Sequence, residues 1–229
     1  MADWLRRLRR LSQGGAVQFG SLRRVTPVSR LFGFDRGQPV DRYYIERFLS
    51  QHARDIHGSA LEVGDDRYLE KFGGHRVTSR HVLHVEAGHP GVTMVADLAR
   101  MDLAPADAFD CIIATQTLQF IYDVRTAAGN LHRMLKPGGV VLATVPGISQ
   151  ISRFDMDRWG EYWRFTTLSV KRLFGEAAPW AAVSIDAHGN VLSAVALLHG
   201  LAAQELTRDE LDFRDDDYEL VMTIRAVKR

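Results

Sequence analysis

The chain has a single cysteine, Cys111, in 229 residues, so no disulfide can form within it. That thiol falls inside the apolar run Phe109–Ala114. It therefore reads as a structural group on a core strand, and a reducing, cytoplasmic setting is expected. A charge excess is also missing: 29 Lys and Arg against 28 Asp and Glu leave a formal net charge of +1. Nothing in that balance calls for a nucleic-acid partner, whose phosphates demand a basic surface. No apolar stretch reaches the roughly 18 residues needed to span a bilayer, and no hydrophobic segment near the start resembles a secretory signal. Internal repeats and low-complexity tracts are absent as well. What remains, 46% hydrophobic and 25% charged residues, suits one globular core.

The first eleven residues place Trp4, Leu5, Leu8 and Leu11 at helical spacing, with Arg6, Arg7, Arg9 and Arg10 between them. This is a short basic amphipathic helix, suited to a terminal packing role or to contact with an anionic membrane or a protein. Glycines and Pro27 then punctuate an irregular connection, so residues 1–38 are expected to precede the domain proper, 39–229. Pro39 opens a helix whose apolar face carries Ile45, Phe48 and Leu49. Beyond it, apolar runs at Ala60–Val63, Val77–Val85, Val92–Ala96, Phe109–Thr115 and Val140–Val145 alternate with helical patterns, notably Asp123–Leu135. A later helix near Thr167–Gly175, a strand near Ala182–Ala187, a helix over Val191–Ala203 and a closing strand in Tyr218–Val227 complete the pattern. Continuous apolar strands alternating with helices predict a mostly parallel sheet covered on both faces, an α/β three-layer sandwich. In such a sheet ligands bind outside the carboxyl ends of the strands, which points to the residues just after Val63, Val85, Ala96, Ala114 and Val145.

Four blocks occur in order: Phe109-Asp110-Cys111-Ile112-Ile113; Thr117-Leu118-Gln119-Phe120-Ile121-Tyr122-Asp123; Leu135-Lys136-Pro137-Gly138-Gly139; and Tyr162-Trp163-Arg164-Phe165-Thr166. In this order they resemble the class I S-adenosylmethionine (AdoMet) methyltransferases, particularly small bacterial methyltransferase-domain proteins found beside glycosyltransferases. The match spans roughly Ser59 to Phe174. It implies a Rossmann-like seven-stranded sheet, AdoMet as cofactor, and methyl transfer to an oxygen or nitrogen of a small or carbohydrate-related acceptor. It implies cofactor contacts from Glu62, Gly64 and Asp65 after the first strand, from Asp97 and Leu98 after the third, and from Thr115 and Gln116 after the fourth. Arg36 and Tyr43, ahead of the first strand, are further candidates for the AdoMet carboxylate or the acceptor.

The sequence departs from the family pattern at three places. The loop Leu61-Glu62-Val63-Gly64-Asp65-Asp66-Arg67-Tyr68 keeps one glycine, with Asp66 and Tyr68 where the family has others. Side chains there are expected to narrow the methionine pocket, because a glycine lacks the Cβ that holds ligand and backbone apart. Arg80-His81 stand near the family's ribose-binding acid, the next acid being Glu86, and Gln119-Phe120 replace a common Glu-His pair. These departures motivate a second reading, a non-catalytic methyltransferase-like binding or scaffold module. On the substrate side, Asp157 is the best general-base candidate, with Tyr162 and Arg164 facing acceptor or cofactor. No metal is expected, since His81 and His84 lie on opposite faces of a strand and no further ligand pattern accompanies them.

Overall fold

A computed structural model describes residues 18–100 and 105–229 of the chain. The basic amphipathic segment of the first eleven residues lies outside the described residues. In chain order the elements are α1 (Val40–Gln51), β1 (Gly58–Val63), β2 (Val77–His84), β3 (Met94–Val95), β4 (Phe109–Thr115), α2 (Val124–Met134), β5 (Leu135–Pro146), α3 (Arg153–Met156), α4 (Thr167–Ala177), β6 (Trp180–His188), α5 (Val191–His199), α6 (Arg208–Asp212) and β7 (Val221–Lys228). One-turn helices, including Leu69–Gly73 after β1, fill several connections.

The seven strands form one sheet in the order β3-β2-β1-β4-β5-β7-β6. Pairs from β3 through β5 are parallel, while β7 runs antiparallel to both β5 and β6. This is the doubly wound order, whose strand order reverses between the parallel neighbours β1 and β4, modified by the antiparallel β7 inserted between β5 and β6. Alternate residues of the central strands feed two separate cores. Cys111 and Ile113 of β4 with Val140 and Leu142 of β5 meet α1 and α5 through Ile45, Leu49, Ala194 and Leu197. Ile112, Ala114, Val141, Ala143 and Val145 meet α2 and α4 on the other side through Ala127, Leu131, Val170 and Phe174. Both faces of the central strands β4 and β5 are thus dry, which is why they read as unbroken apolar runs. Each large aliphatic residue here stabilises by about 2–5 kcal/mol relative to alanine.

Local chemistry sets the boundaries. The Asp123 carboxylate accepts from the Thr126 N–H at 3.1 Å and starts α2; Asn190 and Ser193 form a reciprocal box at the start of α5. The sequence predicts α5 to run on to Ala203, but it stops at His199 because Gly200 adopts the left-handed conformation, φ +67°. Pro39 sits one residue outside α1, as its cap, rather than in the first turn. The third strand is only two residues long, flanked by Pro90, Gly91 and the Thr93 hydroxyl, which accepts from the Val82 N–H at 3.0 Å.

Between α2 and β5 the ladder pairs Phe109 with Leu135 and then Cys111 with Val140. Residues 136–139 bulge out through Gly138 at φ +79°. Asp110 secures this turn to the neighbouring strand by accepting from Lys136 Nζ and from the Ser59 N–H, both at 2.8 Å. Partial burial opposes the Asp110 charge, but the Lys136 ammonium and the Ser59 N–H prevail and hold its carboxyl below the ordinary value.

The connection before α1 is docked on the domain. Val28 and Ser29 donate to the His199 carbonyl, and the Gln38 carbonyl accepts from the Ala203 N–H at 2.7 Å. Its Arg30, Leu31, Phe32 and Phe34 reach the carboxyl edge of the sheet, so this segment, expected to precede the domain, takes part in the site. Among the described residues, no helix is long and apolar enough to cross a membrane.

Candidate active site

A cleft of about 1390 Å³ opens along the carboxyl edge of the sheet. The stretches after β1, β2, β3, β4 and β5 all contribute to it: Gly64, Glu86, Asp97, Gln116 and Ser149 among others. Strand polarity alone accounts for that convergence, since parallel neighbours end on the same side. Residues 30–32, 34, 41 and 42 close one flank, and residues 150–155, 158, 159, 161 and 162 the other.

The turn after β1 is built around Gly64 and Glu62. Gly64 has φ +101°, and a Cβ placed on it would meet nothing within 4 Å. Its open side is the cleft. Glu62 turns inward instead: its carboxylate accepts from the Leu69 N–H at 2.8 Å and the Tyr68 N–H at 3.0 Å. These are donors at the start of a helical turn, which otherwise have no partner. Burial pushes the Glu62 carboxyl up to about 8, with the two N–H groups working against the shift and the nearby Asp65 and Asp66 adding to it. Glu62 therefore shapes the loop from behind. Asp65 folds back onto Arg67, at 2.8 Å from its Nε, and is absent from the cleft wall.

Tyr68, expected to narrow the pocket, is buried on the opposite side. Its ring packs against Phe72 at 5.8 Å, and its hydroxyl accepts from Arg42. Asp66 likewise does not line the cleft. The missing glycines leave the pocket open.

Asp97 and Leu98 line the cleft where β3 ends, the Asp97 carboxylate accepting from the Ala99 N–H at 2.8 Å. Thr115 and Gln116 line it where β4 ends. Gln116 has φ +49°, uncommon for a residue with a side chain and a mark of functional turns. Its N–H donates to the Thr144 carbonyl at 2.9 Å, which fixes this backbone to β5.

Besides Glu62 and Asp65, which do not line the cleft, four more of the sequence-selected residues lie elsewhere. Arg36 pairs with Glu205, holding that carboxyl down at about 2, and the Tyr43 hydroxyl donates to Asp212 at 2.6 Å. Both tie the α1 region to the segment around α6, and neither lines the cleft. Arg42, one residue before Tyr43, does line it, held between the rings of Phe34 and Tyr68. Asp157 caps α3, exposed and outside the cleft. Arg164 donates to the Gln150 carbonyl at 2.8 Å and pairs with Glu161 at 2.6 Å, bracing the overhanging loop from outside the cleft. Tyr162 lines the cleft, its N–H donating to the Gln119 carbonyl at 2.8 Å.

Glu86, the acid just after Val85 that the sequence offers for the ribose slot, reaches the wall although β2 itself ends at His84. One cleft feature escapes a reading of the sequence in isolation. Gln119, 3% exposed, bonds Gln116 at 3.2 Å from Nε2 to Oε1; the signal was two amides three residues apart in the turn after the fourth strand. Among the described residues, His84, Glu86 and His89 also hold potential metal-ligand atoms within 4.8 Å of one another. His84 Nδ1 there lies 3.0 Å from both the backbone N and the carbonyl O of Glu86.

A methyltransferase-domain family model matches residues 29–208, most of the chain. The chain belongs to the class I AdoMet-dependent methyltransferases. Solved relatives agree in fold. An AdoMet-dependent methyltransferase from Mesorhizobium loti is 16% identical with a TM-score of 0.54, the alignment covering 86% of this chain and 100% of that one. Haemonchus contortus phosphoethanolamine N-methyltransferase 2, in complex with phosphomonomethylethanolamine and S-adenosylhomocysteine, is 13% identical, TM-score 0.51, covering 82% of this chain and 57% of that one. A putative methyltransferase from Bacillus halodurans is 11% identical, TM-score 0.51, covering 80% and 98%. At these identities the likeness speaks for the fold. No curated protein sequence matches the chain. As a class I methyltransferase, the protein has the family's AdoMet as its expected methyl donor.

Proposed function

We propose that the chain binds AdoMet at the carboxyl edge of β1, β3 and β4 and methylates an oxygen or nitrogen of a small or carbohydrate-related acceptor. The observation that carries this reading is the open side of Gly64 in a cleft of about 1390 Å³, above the roughly 300–1,000 Å³ common for one small ligand. There is room for donor and acceptor together.

The residues present fit the donor. Gly64 lets the ligand approach the backbone, and Asp97 with Leu98 supplies an acceptor and an apolar edge suited to the adenine amine and ring. Glu86 offers a carboxylate for ribose hydroxyls, and Arg42, on the cleft wall, offers a cation for the AdoMet carboxylate. When bound, AdoMet would supply an electrophilic methyl to an acceptor lone pair, with S-adenosylhomocysteine as the leaving group and the acceptor's proton passing to solvent. The chain's part is chiefly to align acceptor and donor and to exclude water. Tyr162, Phe154 and Tyr122 provide exposed aromatic surface at the mouth for an acceptor's apolar or sugar faces.

Isothermal calorimetry of the full chain with S-adenosylhomocysteine tests the donor half. Saturable binding is expected. Its absence in folded protein at millimolar ligand would remove the enzyme reading and leave the non-catalytic module.

A further inference from the structure

Three buried polar atoms in this cleft have no hydrogen-bond partner: Gln116 Nε2, Gln119 Oε1 and Trp159 Nε1. Only seven such side-chain atoms occur among the described residues, so their concentration at one ligand-sized opening is informative. An unsatisfied buried donor or acceptor costs about 1–3 kcal/mol, which native structures tolerate chiefly where another molecule completes the bonds.

Their arrangement defines what that molecule presents. The two amides already use one donor and one acceptor on each other, at 3.2 Å. If both amides are flipped end for end, one N–H and one C=O still remain, so the conclusion does not depend on the assigned orientation. The indole adds a second N–H. Trp159 is placed by edge contacts with His84 at 5.6 Å and Phe120 at 6.4 Å. The Gln119 backbone carbonyl accepts from the Tyr162 and Trp163 N–H groups and anchors the residue. The left-handed backbone at Gln116 and the near-complete burial of Gln119 restrict the pair. Among these atoms there is no charge to match a carboxylate or an ammonium. An uncharged group that both accepts and donates satisfies an N–H and a C=O at once, and a hydroxyl is the smallest that does, accepting from the first and donating to the second.

We propose that Gln116, Gln119 and Trp159 form the acceptor subsite and that it takes an uncharged hydroxyl group, making the acceptor an alcohol such as a sugar hydroxyl. This rests on the methyltransferase reading above and narrows it from oxygen or nitrogen to hydroxyl oxygen. It assigns the Gln116 side chain to the acceptor rather than to AdoMet. A site with fixed amides rejects charged competitors because burying an unpaired charge costs far more than burying a hydroxyl.

The test is an NMR titration of the isotope-labelled full chain, following the side-chain amides of Gln116 and Gln119 and the indole N–H of Trp159. The Gln116→Leu, Gln119→Leu and Trp159→Phe variants assign the signals. The probe is methyl α-D-glucopyranoside, with methylammonium and acetate as charged comparators, each with and without saturating S-adenosylhomocysteine. The glycoside is expected to shift all three signals, with S-adenosylhomocysteine bound, while the charged probes leave them in place. Gln119→Leu should weaken the response about tenfold, as for one lost hydrogen bond. No response to the glycoside, or an equal response to a charged probe, overturns the proposal. So does S-adenosylhomocysteine alone shifting the three signals and blocking the glycoside, because the atoms then serve the donor. If calorimetry shows no S-adenosylhomocysteine binding, the donor reading fails by itself, and the titration without it still decides whether the hydroxyl subsite exists.

Discussion

Replacing Glu62 by glutamine should make the protein gain stability relative to the parent as pH rises. The Glu62 carboxyl is 2% exposed, lies behind the Gly64 turn and is pushed from 4.5 up to about 8, mainly by burial. The folded chain thus holds this proton more tightly than the unfolded chain does. Its contribution to stability is fully present below pH ~4.5 and is lost as pH climbs through about 8. At ~1.4 kcal/mol per tenfold change in proton affinity, the whole loss is on the order of 5 kcal/mol. Glutamine keeps an oxygen for the Leu69 and Tyr68 N–H groups and has no proton to lose. Other titrating groups cancel when parent and variant are compared at each pH. Urea unfolding at pH 5, 6.5 and 8.5 reads the difference: near zero or slightly unfavourable to the variant at pH 5, and favourable by several kcal/mol at pH 8.5. A difference that stays flat with pH would show that the two N–H bonds hold the carboxylate ionised at neutral pH and that burial is not the dominant influence.

Gly64→Val should abolish S-adenosylhomocysteine binding in calorimetry, since a branched residue at φ +101° is strained and its methyls project into the open cleft. Asp97→Ala should weaken that binding by about 1–3 kcal/mol with the chain still folded; unchanged affinity would take Asp97 out of the donor site. Cys111 is wholly buried, and burial raises its thiol well above the ordinary range, so a thiol reagent should label it only on unfolding. Asp110→Ala should cost about 1–3 kcal/mol in urea unfolding by leaving the Ser59 N–H and Lys136 without their shared partner; a neutral outcome would mean solvent replaces the carboxylate.

The central strands and α2 were legible in the sequence because their signals are local: apolar runs such as Phe109–Ala114, the Asp123 cap, the Pro137-Gly138-Gly139 turn. The cleft wall at Gly64, Asp97, Leu98, Thr115 and Gln116 followed from strand polarity and from the family resemblance. What was not legible depends on helix phase and on distant partners. Successive helical residues diverge by about 100°, so whether Arg42 or Tyr43 meets the cleft is decided by how α1 seats on β7 and α5. Tyr43 and Arg36 are drawn instead to Asp212 and Glu205, more than 160 residues away in sequence. Tyr68 looked obstructive because a loop position does not reveal which side its ring takes. Arg42, waiting behind the loop, supplies the partner that turns it inward.

Among the described residues, non-glycine positions with positive φ are only Phe32, Asp107 and Gln116; Asp65, Asp66, Arg67 and Tyr68 are not among them. The turn after β1 therefore demands glycine at Gly64 alone. Side-chain-bearing residues at the remaining loop positions restrict the unfolded chain more than glycines would, an advantage of roughly 0.4–1 kcal/mol per position where the native conformation tolerates it. The same restriction leaves less freedom to surrender when a ligand arrives, so the turn is pre-organised by its composition. A search keyed to a glycine-rich fingerprint would pass over this chain, because the feature it retains is a backbone shape and not a run of one amino acid.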